Sequence, residues 1–216
     1  EKRGENTRVL VVTESVFSMD GDLAPLAGIC DLKDAHDALL LLDEAHAFGV
    51  LGPQGRGLAA ALGLEGRVDL QMGTFSKAAG LSGGYLCASR ATIDLLVNRA
   101  RSFIYSTAPS PALAATIGDA LDLICGTRGE DLRTVLAAHR ERFLPGAPSA
   151  IIPVILGGNE AALAASTALQ ERGFLVPAIR YPTVPRGSAR LRVTLSAAHQ
   201  TEDIDALKKA LGEVAI

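Results

Sequence analysis

The sequence predicts an α/β fold in which a mostly parallel sheet is covered by helices on both faces. Short runs of β-branched and aliphatic residues, such as residues 9–13 and 38–42, are typical of strands buried in a parallel sheet. Helix-length stretches and glycine-containing loops separate these runs, which indicates alternating strands and helices. With 48% hydrophobic and 21% charged residues, the 216-residue chain is able to bury a sizeable core.

The first 126 residues contain the elements of this larger unit. The pattern predicts strands at 9–13, 38–42, 68–72 and 84–88, and helices at 27–37, 91–101 and 111–125. Residues 49–57 contain four glycines and a proline, and are therefore predicted to form a loop. Gly126 follows the last helix and is a typical helix terminator. We therefore assign residues 1–126 to one large α/β domain, of which this is the C-terminal part.

The composition changes after Gly126, and residues 127–216 predict a smaller α+β domain. Its predicted helices are 131–143, 160–172 and 201–214, and its predicted strands are 151–156, 174–177 and 190–196. Thr201, followed by Glu202 and Asp203, is a favourable start for the last helix because acidic residues suit the helix N-terminus.

Charge and cysteine usage argue against several classes of protein. A formal net charge of -3 provides no general attraction for nucleic acid or for an anionic membrane surface. No apolar stretch reaches the roughly 18 residues that a membrane span requires. Cys30, Cys87 and Cys125 are widely spaced and form no C-x-x-C pair, so we expect a reducing cytoplasm, no disulfide framework and no metal site.

Polar side chains follow three of the predicted strands, at the point where each strand ends. They are Glu14 and Ser18 after the first strand, Asp43 and His46 after the second, and Thr74, Ser76 and Lys77 after the third. Ligands of open α/β sheets bind beyond the carboxyl ends of the strands. We therefore expect these side chains to converge on one site.

The residue types in this set suit pyridoxal 5′-phosphate (PLP). Lys77 is flanked by small residues, and a desolvated lysine has a lowered pKa and forms an imine with an aldehyde. An aspartate at a strand end, such as Asp43, is able to pair with a protonated pyridine nitrogen. The hydroxyls of Thr74 and Ser76 suit a phosphate, and His46 would lie against the ring or its phenolic oxygen. A single loop lysine is usually solvated surface, so the prediction depends on the combination.

Six stretches of the sequence together resemble one family, the α-oxoamine synthases, which are class II PLP-dependent acyltransferases. They are residues 13–22, 43–49, 55–57, 74–77, 105–107 and 190–199. The resemblance covers nearly the whole chain. It implies a fold-type I homodimer with a shared active site, which condenses an amino acid with an acyl-CoA and releases CO2 and CoA.

The resemblance also implies roles for individual residues around the cofactor. Lys77 matches the lysine that holds PLP as a Schiff base and acts as general acid and base. Asp43 matches the partner of the pyridine nitrogen, and His46 the residue at the phenolic oxygen. Thr74 matches a phosphate ligand, and Ser18 falls on another cofactor-contacting position.

Further positions are implied to contact the substrate or to be shared between subunits. Tyr105, Ser106 and Thr107 correspond to a segment that the neighbouring subunit lends to the site. Arg192 matches the arginine that binds the amino acid carboxylate, a task suited to a planar guanidinium. Arg190 should lie on the same strand face but is not the residue that the family uses, and Thr183 is expected to assist near the carboxylate.

Within the family, residues 182–185 and 189–195 look most like the member that joins L-alanine to pimeloyl-CoA or a pimeloyl carrier protein. The member that uses glycine and acetyl-CoA is the next most similar. Two features depart from the family pattern. An earlier region with a glycine-rich helix start and a cofactor-stacking aromatic residue does not occur, and residues 137–150 are shorter than expected. We therefore interpret the chain as the later part of a longer protein.

Three other functions remain open at this point. Residues 43–46 also spell a helicase box, but no Gly-Lys pair of an ATP-binding loop occurs in the chain. Residues 80–84 fit the G-x-S-x-G pattern of a serine hydrolase, with Ser82 as nucleophile and His199 as base. Asp119 or Asp122 would then be the acid. The third alternative is a non-catalytic remnant that keeps the fold without the chemistry.

Overall fold

A computed structural model describes residue 4 and residues 7–214. The chain divides into two compact units. The first comprises the residues up to Val16 and Leu23–Glu130, and the second comprises Phe17–Asp22 and the residues from Asp131 onward. The outermost positions of the two predicted domains, residues 1–3, 5, 6, 215 and 216, lie outside the described residues.

The first unit contains four strands and most of the helices. In chain order they are β1 (Leu10–Glu14), α1 (Leu26–Ala35), β2 (Leu39–Asp43), α2 (Leu58–Ala61), β3 (Leu70–Thr74), β4 (Gly84–Ala88), α3 (Arg90–Arg99), α4 (Arg101–Ile104), α5 (Pro111–Cys125) and the start of α6 (Thr127–Phe143). The predicted helix at 91–101 is interrupted because Ala100 is extended, with φ -75° and ψ 105°.

The sheet of the first unit has the order β1-β2-β3-β4. The first three strands are parallel, and β4 runs antiparallel to β3. Leu40 and Leu42 of β2 are fully buried on one face, where α1 packs with Leu26 and Cys30. This confirms the predicted α/β class, with a mixed sheet.

The opposite face of this sheet is not covered as predicted. Leu10, Val12 and Leu39 are 49%, 63% and 42% exposed, although register places all three on one side of β1 and β2. Within the described residues, therefore, helices cover one face of the sheet and leave apolar side chains accessible on the other.

The second unit is built on an antiparallel sheet with the order β5-β7-β6. Its elements after α6 are β5 (Ile151–Gly157), α7 (Asn159–Glu171), β6 (Ala178–Ile179), β7 (Ala189–Thr194) and α8 (Thr201–Val214). The apolar faces of α7 and α8 contribute Leu169, Ile204 and Leu211 to one core with Leu191 and Val193 of β7. Burial of such side chains stabilises the unit by about 1.5–3 kcal/mol each.

The predicted strand at 174–177 is wrong. The amide of Phe174 donates to the carbonyl of Leu169 at the end of α7, and Pro177 has no amide hydrogen to contribute to a ladder. The strand in this region is β6, which begins after Pro177 and pairs with β7. No helix within residues 4 and 7–214 is both long and apolar enough to cross a membrane.

Candidate active site

Strand register places three polar residues on one face at the same end of the sheet. Glu14 pairs with Asp43, and Asp43 pairs with Met72 of the neighbouring strand. Thr74 lies two residues beyond Met72, and side chains two apart in a strand share a face. The structure therefore brings Glu14, Asp43 and Thr74 together at the carboxyl ends of β1, β2 and β3.

Both the backbone carbonyl and the side-chain carboxylate of Asp43 accept hydrogen bonds. Its carbonyl accepts hydrogen bonds from the amide of Ser15 at 2.8 Å and from the hydroxyl of Ser15 at 3.1 Å. Its carboxylate oxygen Oδ1 accepts from the amide of Ala45 at 2.8 Å. Ser15 is fully buried, so these bonds are protected from water. The result is a half-buried carboxylate in a defined orientation at the strand end.

Glu44 is a completely buried acid that was not among the residues predicted to bind PLP. Its two carboxylate oxygens accept from the amides of Leu58, at 3.0 Å, and Ala59, at 2.9 Å, at the start of α2. A Cβ at Gly57 would lie 2.5 Å from the carboxyl carbon, so glycine is needed there for the close approach. Glu44 thus connects the turn after β2 to residues 57–59. The glycine at position 57, which has a positive φ of 101°, is the one feature of the sequence that indicates this contact.

Residues 75–83 form the connection between β3 and β4, and Lys77 lies in it. The amide of Phe75 donates to the carbonyl of Gly83 at 3.0 Å, and the amide of Leu81 donates to the carbonyl of Phe75 at 2.8 Å. These bonds close the loop on itself. Lys77 is exposed, which differs from the desolvation that was expected, because within the described residues no element covers the tip of the loop.

The hydroxyls of Thr74 and Ser76 lie 2.7 Å apart. The Thr74 hydroxyl also donates to the carbonyl of Gly83 at 3.0 Å, and it accepts from the amide of Ser76 at 3.2 Å. The two hydroxyls predicted to bind phosphate are therefore adjacent, at the exposed end of β3, with the Ser76 side chain accessible.

Tyr85 of β4 pairs with Gly73 of β3, next to this loop. A Cβ at Gly73 would be 2.5 Å from the Tyr85 hydroxyl, so the glycine creates the space for the ring. Burial raises the pKa of Tyr85 to about 12, with smaller contributions from the neighbouring Cys87, Glu44 and Asp43 charges. Tyr85 is consequently neutral at ordinary pH.

Arg192, the predicted carboxylate-binding residue, and Ser18, a predicted cofactor-contacting residue, both lie in the second unit and contact each other there. Arg192 Nε donates to the carbonyl of Ser18 at 2.6 Å, and Nη1 donates to Thr194 Oγ1 at 3.3 Å. Desolvation by burial lowers the pKa of Arg192 from its ordinary value. A partly buried cation of this kind is stabilised by an anionic partner.

Arg190 is on the same face of β7, as strand alternation predicted, but its environment differs. It is 5% exposed, its Nε donates to the carbonyl of Ser188 at 3.0 Å, and its Nη1 is bonded to the carboxylate of Asp20. Its charge is thus already paired within the second unit, whereas Arg192 donates to two neutral oxygens, the carbonyl of Ser18 and the hydroxyl of Thr194.

The remaining predicted site residues are at the surface. Thr183 is exposed in the turn after the cis peptide bond between Tyr181 and Pro182. Tyr105, which is 74% exposed, begins an exposed segment that includes Ser106 and Thr107. Arg101 stacks over the Tyr105 ring at 5.1 Å, and the Ser106 hydroxyl donates to the carbonyl of Ser102.

The chemistry of the first unit's donor set fits PLP. Lys77 provides an accessible primary amine, Asp43 an oriented carboxylate and the pair Thr74 and Ser76 adjacent hydroxyls. These groups match the aldehyde, the pyridinium nitrogen and the phosphate of the cofactor in turn. His46 is half-buried in the turn after Asp43.

The hydrolase alternative does not fit this geometry. A nucleophile elbow joins a strand to a helix, but residues 80–84 lead from a loop into β4, which is antiparallel to β3. Ser82 is therefore an exposed residue of a strand–strand connection. The helicase alternative is also disfavoured, because both carboxylate oxygens of Glu44 bond to buried backbone amides.

Comparison with known proteins gives consistent matches. The model of the family "aminotransferase class I and II" matches residues 1–211. The 8-amino-7-oxononanoate synthase of Methylobacterium nodulans is 51% identical over 216 residues, which are 99% of this chain and 54% of that enzyme. The chain thus spans about half the length of the curated relatives it matches.

Two solved structures extend the match to the fold. Serine palmitoyltransferase from S. paucimobilis, solved with bound PLP and myriocin, superimposes with a TM-score of 0.91 and 30% identity, over 99% of this chain and 57% of that chain. The 8-amino-7-oxononanoate synthase from Francisella tularensis superimposes with a TM-score of 0.82 and 25% identity, over 98% and 63% of the two chains. These matches confirm the resemblance to the α-oxoamine synthases, and the chain belongs to the PLP-dependent, fold-type I family of class I and II aminotransferases.

Proposed function

We propose that the protein catalyses the decarboxylative condensation of L-alanine with a pimeloyl thioester, giving 8-amino-7-oxononanoate for biotin biosynthesis. The observation that carries this proposal is 51% identity, over 99% of the chain, to an enzyme of that name. The thioester is pimeloyl-CoA or pimeloyl carrier protein. By the same resemblance, the active enzyme is a homodimer in which the exposed segment 105–107 of one subunit completes the site of the other.

The residues of the first unit would act around the bound cofactor. PLP supplies an electron-withdrawing ring that stabilises negative charge at the α-carbon of the amino acid. Asp43 would accept a hydrogen bond from the protonated ring nitrogen, and the amide of Ala45, which donates to Oδ1 at 2.8 Å, orients the carboxylate for it. Thr74 and Ser76 would hold the phosphate, and His46 would contact the phenolic oxygen. Lys77 anchors the cofactor and moves the proton to and from the α-carbon.

Arg192 would bind the carboxylate of the amino acid. A guanidinium has five N–H donors, and the contacts with Ser18 and Thr194 use one from Nε and one from Nη1. Three donors remain for a carboxylate, and partial burial strengthens such a bond. Arg190 is unsuited to this role because the carboxylate of Asp20 already pairs with it. Thr183 is the proposed assisting residue.

Substrate choice is tested by following CoA release with L-alanine, glycine and L-serine, each against pimeloyl-CoA and acetyl-CoA. We expect L-alanine with pimeloyl-CoA to have the highest kcat/KM. One methylene or hydroxyl in a binding pocket changes this ratio by about 10- to 200-fold, so the preferred pair should be evident. Faster turnover of glycine with acetyl-CoA would contradict the proposed substrates while leaving PLP chemistry intact.

Replacement of Arg192 by lysine should raise the KM for the amino acid by about 10- to 100-fold, because lysine cannot form the bidentate pair. The KM for the thioester and the amount of bound PLP should change little. The matched control is Arg172→Lys, at an exposed arginine of the second unit that pairs with Glu213. Equal effects of the two substitutions on the amino acid KM would refute the role of Arg192.

A further inference from the structure

The two loops that carry His46 and Lys77 are in unusually close contact. Gly49 follows His46 by three residues and has a positive φ of 77°. A Cβ built on Gly49 would lie 2.5 Å from the Cβ of Ala78, far inside van der Waals distance. Only glycine therefore permits this separation of the two backbones. Ala78 is the residue directly after Lys77.

Aromatic rings make a second contact between the same loops, and a tyrosine of β4 packs against the rings of both. We call Phe48, Phe75 and Tyr85 the aromatic cluster. The ring centroids of Phe48 and Phe75 are 6.5 Å apart, those of Phe48 and Tyr85 are 5.4 Å apart, and those of Phe75 and Tyr85 are 5.2 Å apart. Edge-to-face and tilted ring pairs at these distances attract each other beyond the effect of burying their apolar surface.

These contacts lie next to two predicted cofactor-binding residues, Lys77 and His46, in the sequence. Phe75 precedes Lys77 by two residues and Ala78 follows it, so contacts to the other loop lie on both sides of the lysine. Their partners, Phe48 and Gly49, lie two and three residues after His46. These two contacts therefore lie where the His46 turn and the Lys77 loop approach each other.

The His46 turn is itself anchored to the rest of the first unit. The amide of Glu44 donates to the carbonyl of Met72 at 2.8 Å, and the amide of Gly49 donates to the carbonyl of Gly55 at 2.7 Å. The Glu44 carboxylate bonds to Leu58 and Ala59. Since the turn is fixed in this way, an added methyl group at position 49 would displace the Lys77 loop more readily than the turn.

We propose that Gly49 and the aromatic cluster are positioning residues, which set the distance of the Lys77 amine from the groups that hold the PLP ring. This inference rests on the proposed function. A displacement of about 1 Å at a reacting group lowers a rate by up to about 100-fold. The residues act through Lys77 and His46, and they need no contact with cofactor or substrate.

The test is Gly49→Ala, with Gly63→Ala as the matched control. Gly63 also has a positive φ, 67°, but a Cβ there meets nothing within 4 Å. Both variants therefore place a side chain at a similar positive φ, and only Gly49→Ala carries the clash. The readouts are the Kd for added PLP and the rate at which borohydride traps PLP on the Lys77 peptide, measured by mass spectrometry, together with Tm.

We expect Gly49→Ala to weaken PLP binding and slow trapping by about 10- to 100-fold, with Gly63→Ala close to the unmodified protein. The double variant Gly49→Ala with Ala78→Gly removes the clashing methyl group and should recover most of the loss, compared with Ala78→Gly alone. Should Gly49→Ala fail to fold, Phe75→Leu removes the ring contacts without strain and should slow trapping several-fold.

Two outcomes separate this inference from the function on which it rests. If the unmodified protein takes up no PLP, both are overturned. If it takes up PLP and neither Gly49→Ala nor Phe75→Leu changes the trapping at Lys77, the positioning role alone is overturned. Failure of the double variant to improve on Gly49→Ala would equally refute the Gly49–Ala78 contact as the cause.

Discussion

Lys77→Ala is expected to abolish the covalent attachment of PLP and to lower kcat by at least about 10³-fold. The lysine provides both the anchoring amine and the proton-transfer group, and positioned acid–base groups alone contribute about 10²- to 10⁴-fold. Borohydride treatment followed by peptide mass spectrometry measures the attachment, and visible absorbance follows it during titration with PLP. Stability should change by less than about 0.5 kcal/mol, since the Lys77 side chain is exposed.

The matched control for this substitution is Lys209→Ala, at another exposed lysine. It should retain PLP and activity. Attachment of PLP to a different lysine in Lys77→Ala, at an undiminished rate, would show that the assignment of Lys77 is wrong. If the protein is a non-catalytic remnant, its unmodified form would already show no visible absorbance from attached PLP.

The second large effect is expected on stability. Glu44→Ala should lower the free energy of unfolding by about 3 kcal/mol, because it leaves the buried amides of Leu58 and Ala59 without acceptors and opens a cavity. Glu44→Gln should lower the free energy of unfolding by less than Glu44→Ala does. It keeps one oxygen acceptor, although its new NH2 group faces an amide donor. Urea-induced unfolding measures the effect, provided that the m-value is unchanged.

Glu65→Ala is the surface counterpart of the Glu44 substitution. Glu65 forms an exposed ion pair with Arg56 at 3.2 Å, and such pairs contribute at most about 1 kcal/mol. A loss of stability no larger in Glu44→Ala than in Glu65→Ala would contradict the anchoring role of Glu44. It would also remove one support of the argument that the His46 turn is rigid.

Local sequence signals were sufficient to predict the bounds of elements whose determining contacts join residues close together in the sequence. The predicted helices 111–125 and 201–214 and the strand 84–88 have the observed bounds. Ser110 caps the first of these helices by accepting from the amide of Leu113 at 3.2 Å, and Pro111 suits the first helical position. The prediction of a strand at 174–177 was wrong because a strand requires a pairing partner, and the segment that pairs with β7 begins only after Pro177.

The candidate site follows the same division. The order of Asp43, His46, Thr74 and Lys77 was evident from the motifs, and the register of the strands agrees with the expected convergence of Asp43 and Thr74. The exposure of Lys77 and the pairing of Arg190 with Asp20 were not predictable. Residues 17–22, which include Asp20, are separated by more than a hundred residues from the rest of the unit to which they belong.

By itself, the sequence determined the α/β class, the family, and which chemical groups are available for PLP and an amino acid. Only the tertiary structure decided how those groups are held. The contacts that hold them are the hydrogen bonds from the start of α2 to the buried carboxylate of Glu44, the approach of Gly49 to Ala78 and the ring contact of Phe48 with Phe75. The physical reason is that motifs report side-chain chemistry and local backbone preference, whereas these contacts join segments distant in sequence and exist only after the sheet has formed.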